Sequence, residues 1–450
     1  MHFESAQLSG AVTPAQVAEF VRQRLPPRGL FAGLSWRIAP APFVLGPELA
    51  DALERLGRVL LRFYQAANLL YRHSVDGAQP GWVAELLDRG KPAELIALQR
   101  SAVFRNALPR VIRPDVLLTD NGLCITELDS VPGGIGLTAW LNQTYAGACG
   151  SNWQSRIIGG AKDMLDGFAA IFGDAPNVHI VVSDEAATYR PEMEWLAAQL
   201  GARFGVRDGS YTGFGDGDAV YRFFELFDLA NVPAAKTIFD LAAAGRIVVT
   251  PPPKPALEEK LLFALFWNRN LREFWIRALG AGFFHKLQQL FPYTWVIDPM
   301  PMPPHAVIPR LEITSWDQLK LMSQTERQLV LKVSGFSPLA WGARGVYLGS
   351  DMSREEWAAV VDTAIQSYSR APYVLQEFHK PRRVKTEWFD FARGALVEMD
   401  GRVRLCPYYF VIGDNSAARA RLGGVLATIC PADKKIIHGM NDAVLAPCAR

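Results

Sequence analysis

Apolar residues first recur at helical spacing. Leu53, Leu56, Val59, Leu60 and Phe63 fall three or four apart and predict a helix within a mainly helical stretch over 47–108. A second helical run is expected over 82–98. The period then changes to two. Two β-rich runs, 116–119 and 123–128, flank Asp120-Asn121-Gly122 and predict a hairpin. Pro132-Gly133-Gly134-Ile135-Gly136 turns the chain into a helix over 137–146. From 151 to 253, helices over 157–172, 190–200 and 234–244 alternate with short apolar strands at 178–182, 204–206, 219–224 and 247–250. Such alternation predicts a small α/β layer domain, halted by Pro251-Pro252-Pro253. One or two buried helices are expected over 256–290, then a proline-rich connector at 299–304. A second α/β region follows. It has a short helix from Ser315, a strand at 329–333 and the capping box Ser353-Arg354-Glu355-Glu356 opening a helix. It continues with a strand at 373–378 and a hairpin of 395–398 with 403–410 around Asp400-Gly401. The expected class is α/β (α+β), in four segments: 1–110, 111–150, 151–253 and 254–450.

Composition narrows the function classes. The chain has 450 residues, half of them hydrophobic and a fifth charged, enough for a large core. A net charge of +2 gives no electrostatic case for nucleic acid. No apolar run reaches the ~18 residues of a membrane span, and the N-terminus lacks the basic and apolar regions of a signal peptide. Five cysteines, Cys124, Cys149, Cys406, Cys430 and Cys448, are widely spaced, without a Cys-x-x-Cys. That fits small core residues and a reducing, cytoplasmic setting. His-Glu-x-x-His and Gly-x-Ser-x-Gly do not occur, so zinc protease and serine hydrolase chemistry have no support.

The hairpin is the first candidate site. A three-residue loop ending in Gly122 would pair Asp115 with Glu127 and Arg113 with Asp129. A two-residue Asn121-Gly122 loop would pair Asp115 with Leu128 instead. Glycine tolerates the left-handed position best, which favours the first. Side chains two apart share a strand face. Arg113, Asp115, Glu127 and Asp129 would then stand together, and three crowded carboxylates repel unless a cation sits among them. Hard oxygen ligands of this kind suit Mg²⁺ bound to substrate phosphates. The competing reading is a solvated edge hairpin.

Three further constellations carry possible chemistry. Lys332 interrupts the apolar run Leu329-Val330-Leu331, and a buried ammonium is costly without partners. Gly335, Gly342 and Gly345 follow, where backbone N–H groups can approach anionic oxygens. This is not a Walker A loop. Gln376-Glu377-Phe378 ends a strand in polar groups suited to an adenine edge and a ribose hydroxyl. Arg419 and Arg421 offer guanidiniums to a transferring phosphoryl group. Gly134-Ile135-Gly136-Leu137-Thr138-Ala139 matches a dinucleotide fingerprint, but a further helical pattern follows where the second strand should stand.

Together these residues resemble the ATP-grasp ligases, specifically the glutathionylspermidine synthase-like, circularly permuted type. Arg113-Pro114-Asp115, then Glu127-Leu128-Asp129 twelve residues after the aspartate, has that family's spacing, with Asp129 in place of its asparagine. The resemblance implies an ATP-grasp core from 111–150 and 254–450, a small substrate-side α/β domain at 151–253, and a helical N-terminal region. It implies Asp115, Glu127 and Asp129 as Mg²⁺ ligands and Arg113 facing the reacting acyl phosphate. Lys332 matches the lysine of the phosphate-covering strand, Gln376-Glu377-Phe378 the adenine hinge, and Arg421 a late arginine. Lys286 and Lys260 are candidates for a second phosphate-binding lysine. The implied activity is ATP- and Mg²⁺-dependent joining of a small-molecule or peptide carboxylate to an amine through an acyl phosphate. A non-catalytic nucleotide-binding or scaffold protein of that fold is the alternative.

Overall fold

The computed structural model describes residues 12–26, 36–129, 131–148, 155–340, 342, 344–414, 417–437 and 442–450. Cys149 and the extreme N-terminus lie outside them. The chain divides into two compact units. One comprises Met1–Arg62, Asn106–Pro252 and Pro381–Arg450, and the other Phe63–Arg105 and Pro253–Lys380.

Among the described residues, the first unit holds two sheets. The larger has eight strands. In it, Ala395–Ile412 pairs on one side with Val111–Thr119 of the hairpin and on the other with Arg419–Pro431, which in turn pairs with Val444–Ala449. The smaller is parallel, in the order Phe204–Asp208, Val178–Val182, Ala219–Phe223, Val248–Thr250. Val178–Val182 and Ala219–Phe223 are buried along their whole length, the pattern of a parallel sheet covered on both faces. The helix Ile135–Ala148 packs on Arg419–Pro431 and Val444–Ala449 and on the helix Arg190–Leu200. It is buried nearly all round, which explains why its sequence shows no polar stripe.

The second unit is built on an antiparallel sheet ordered Val346–Leu348, Leu329–Val333, Tyr373–Glu377, Thr294–Val296. Leu329, Leu331, Val333 and Leu375 pack against Trp357, Val361 and Ala364 of the helix Arg354–Gln366. That helix begins at Ser353 with the expected capping box. A separate aromatic core gathers Phe63, Phe263, Phe266, Trp275 and Phe291.

Several expected elements are cut shorter. The run at 82–98 splits into Trp82–Asp88 and Ala93–Arg100, because Gly90 at φ +73° and Pro92 interrupt it. The helix expected at 157–172 covers only Asp163–Ala170, after Gly159 and Gly160 at positive φ. Residues 256–290 form three helices rather than one or two: Leu261–Trp267, Arg272–Leu279 and Ala281–Leu290. The largest departure is at Asp400-Gly401. No turn forms there, and the strand Ala395–Ile412 runs straight through. Its hairpin partner is Arg383–Asp390, closed where Asp390 pairs with Ala395. Gly401 instead serves packing, since a Cβ there would lie 2.6 Å from Ile429 Cγ2.

Candidate active site

The hairpin brings its four charged residues together by a route the sequence did not show. Thr119 pairs with Gly122, so the loop is Asp120-Asn121. Gly122, at φ +112°, is the first residue of the return strand. The ladder then shifts by one between Asp115 and Val116, leaving Thr126 as the extra residue of a bulge. Beyond it Asp115 faces Glu127 and Arg113 faces Asp129. The expected pairs form, and the bulge, not a three-residue loop, sets them.

Electrostatics explains how these carboxylates coexist. Arg113 Nη2 lies 2.8 Å from Asp129 Oδ2 and 3.4 Å from Asp115 Oδ1. Asp115 Oδ2 accepts from Arg404 Nη1 at 3.0 Å, and Asp129 Oδ1 from the Val131 N–H at 2.9 Å. Burial opposes both guanidinium charges, yet Asp115, and for Arg113 also Asp129, holds them above the ordinary arginine range. Burial pushes the Asp129 carboxyl up, Arg113 pulls it down, and Glu127 adds to the rise. The same strand face brings Cys406 Sγ to 3.5 Å from Asp115. Burial pushes that thiol up to about 11, so at neutral pH it is no nucleophile. Arg113 Nε and Arg404 Nε are buried without a hydrogen-bond partner.

Arg404 is a residue that sequence reasoning missed. Its signal was present, a charge in the apolar run Val403-Arg404-Leu405-Cys406, the same kind that marked Lys332. Arg421 lies on the neighbouring strand, exposed, with its guanidinium 2.5 Å from Asp163.

The turn after the hairpin is closed from within. Glu192 Oε1 accepts the Gly134 N–H at 2.6 Å, and Oε2 faces the Leu137 N–H at 3.4 Å, at the start of the helix Ile135–Ala148. A carboxylate therefore already occupies the place where a dinucleotide phosphate would sit. Burial raises the Glu192 carboxyl to about 7, against the pull of those two N–H groups. Gly133 packs against the Tyr189 ring and Gly134 against the Tyr408 hydroxyl.

In the second unit, Lys332 and Gln376 share the sheet face opposite the helix Arg354–Gln366. Lys332 Nζ donates to Gln376 Oε1 at 2.9 Å, and Gln376 Nε2 donates to Thr294 Oγ1 at 3.2 Å. All three are buried. The Glu377 N–H bonds Tyr293 O, its carboxylate meets Arg310 at 2.8 Å, and the Phe378 N–H bonds Gln328 O. The start of the glycine loop is tied down. Lys260 Nζ donates to Ala340 O at 2.7 Å and Ser334 O at 3.3 Å. Glu259 accepts from Ser334 Oγ and pairs with buried Lys91 at 2.6 Å. Gly335 and Gly345 have packing reasons. A Cβ would lie 2.8 Å from the Glu259 carboxyl carbon at the first and 2.7 Å from Leu339 O at the second. Gly342 stands at φ +65°. The lysine that touches the loop is Lys260; Lys286 is exposed on the helix Ala281–Leu290.

The buried Lys332 ammonium has the charge to hold phosphate, while the N–H groups of Glu377 and Phe378 are taken by Tyr293 O and Gln328 O. The carboxylates fit magnesium only in the mode that needs one or two protein oxygens, the rest coming from phosphates and water. Among the described residues no three His, Cys, Asp or Glu side chains converge to hold a metal ion by themselves. Nor, among them, is any helix long and apolar enough to cross a membrane.

The fold is ATP-grasp-like. It is similar to the structure of a glutathione synthetase-like effector from Globodera pallida in its apo form, at 11% identity, covering 97% of this chain and 95% of that one, with a TM-score of 0.57. A putative gamma-glutamylcysteine synthetase from Methylobacillus flagellatus KT matches more loosely, at 10% identity over 85% of this chain and 87% of its own, with a TM-score of 0.38. No family model matches the chain, and no curated protein matches it in sequence.

Proposed function

We propose that this protein is an ATP-dependent ligase that joins a carboxylate to an amine. The observation that carries the reading is buried Lys332 bonded to Gln376 on the strand that ends at Glu377, within an ATP-grasp-like fold. Lys332 holds nucleotide phosphate, and Gln376, Glu377 and Phe378 hold the base. By the sequence resemblance, Glu127 with Asp115 or Asp129 would hold magnesium, which would supply neutralisation of phosphate charge. By the same resemblance, Arg113 would stabilise the oxygens of the transferring phosphoryl group. The substrate carboxylate attacks the γ-phosphorus and ADP leaves; the amine then attacks the acyl carbon, loses a proton and expels phosphate. Roles for Arg421 and Lys286 rest on the sequence resemblance alone.

The test is incubation with ATP, Mg²⁺ and a panel of peptides and amines. ADP and phosphate should appear only when both co-substrates are present, and Lys332→Met and Glu127→Gln should each lower the rate at least ~100-fold, the scale of a lost electrostatic contact. AMP as product would overturn the acyl-phosphate route. A second reading, a nucleotide-binding protein without turnover, is favoured by one observation: Arg113 and Arg404 already neutralise Asp115. It predicts saturable ATP binding with no product for any pair.

A further inference from the structure

The second unit contains a cavity of about 560 Å³ that none of the roles above uses. That volume lies in the range of roughly 300–1,000 Å³ typical of small-molecule pockets. Its wall includes the rings of Trp267 and Tyr293, with centroids 4.8 Å apart and planes tilted by 34°. The indole is fixed, because its Nε1 donates to Pro292 O at 2.9 Å. Arg310 spans both rings, its guanidinium 4.3 Å from the Tyr293 centroid and 5.6 Å from that of Trp267. Arg269 and Arg272 also line the cavity, both exposed, against one carboxylate, Glu312. The segment that carries Arg310 and Glu312 is held in an unusual conformation, with φ of +69° and +54° at those two residues.

From this we infer a binding site for a planar aromatic anion of mononucleotide size. Fixed aromatic faces offer stacking area at little entropic cost, and a guanidinium over them adds cation–π attraction. Three arginines line the cavity against Glu312, and because Arg310 is also paired with Glu377, Arg269 and Arg272 set the sign of the ligand. Arginine forks suit carboxylate or phosphate oxygens in particular. A neutral aromatic would leave the rim charges unanswered, and a bare inorganic anion would leave the rings uncovered. The position is distinct from the Lys332 face. Thr294–Val296 is the edge strand beyond Tyr373–Glu377, and the cavity takes Tyr293 just before it. The link between them is Arg310, whose guanidinium also pairs with Glu377 at 2.8 Å.

The probe is AMP, a flat base with one phosphate, titrated into the full chain carrying Lys332→Met so that binding at that lysine is not counted. Calorimetry and tryptophan fluorescence follow it, with adenosine and inorganic phosphate as the two halves. Saturable AMP binding is expected, at least tenfold tighter than either half, and weakened at least tenfold by Trp267→Leu and by Arg272→Gln. Arg272 is exposed, so that variant tests the site without endangering the fold. The inference is overturned if AMP does not saturate up to millimolar concentration in the Lys332→Met chain, or if its binding survives both substitutions. AMP binding that is present in the native chain and lost with Lys332→Met also overturns it, while leaving the ligase proposal standing.

Discussion

At the scale of single residues, the informative side chains are polar groups buried where the apolar pattern had no place for them. Glu192 is one. Its folded-state carboxyl sits near 7 instead of 4.5, because it is buried. The folded chain therefore holds this proton more tightly than the unfolded chain. The resulting stability is complete below about 4.5 and is lost as pH rises through 7. In thermal melts, acidification from pH 8 to pH 5 should favour the native protein by up to about 3 kcal/mol through this group. Glu192→Gln, which keeps an oxygen for the Gly134 N–H, should flatten that dependence. Arg404 and Arg421 make a second test. Arg404 pairs with Asp115 where both side chains are nearly buried, so Arg404→Met should cost about 3 kcal/mol in urea unfolding. Arg421 pairs with Asp163 in the open, and Arg421→Ala should cost less than ~1 kcal/mol. Equal effects would mean that the two pairs do not differ in burial in solution.

At the scale of elements, local chemistry was legible where one rule dominated. The strand Leu329–Val333, the helix Arg190–Leu200 and the Ser353 capping box all stand where apolar spacing and caps put them. Rules failed where a local signal competed with the sheet. Asp400-Gly401 has turn chemistry, yet the residues before it pair with Arg383–Asp390 and those after it with Arg419–Pro431. Glycine is needed there because Ile429 crowds the position. Gly401→Ala should therefore destabilise by ~1–3 kcal/mol, an overpacking cost, rather than by the few tenths typical of an exposed turn. Urea unfolding of the variant decides between these. The hairpin teaches a related lesson. Its charged pairs depend on a bulge at Thr126, and nothing in the local sequence distinguishes that bulge from a longer turn.

At the scale of the whole chain, each unit is assembled from distant segments, and each has its own core. Trp357 anchors the second core, fully buried, with its indole N–H on Leu319 O at 2.9 Å. Trp357→Ala should cost ~3–5 kcal/mol locally. Hydrogen exchange should then quicken in Leu329–Val333 and Tyr373–Glu377 more than in Val178–Val182 of the other unit. Equal acceleration would mean that the units unfold as one. By itself the sequence determined most element types, the α/β class, the existence of the hairpin and the odd lysine at 332, because each rests on local spacing. Only the tertiary structure decided the rest. Arg404 reaches Asp115 across 289 residues, and Lys91 reaches Glu259 from an earlier segment. Arg383–Asp390, Ala395–Ile412, Arg419–Pro431 and Val444–Ala449 became strands of the eight-stranded sheet, and Trp267, Tyr293 and Arg310 came to line one cavity. Long-range pairing of buried charges and rings leaves no periodic trace in the chain, since each partner is specified only by the fold that brings it near.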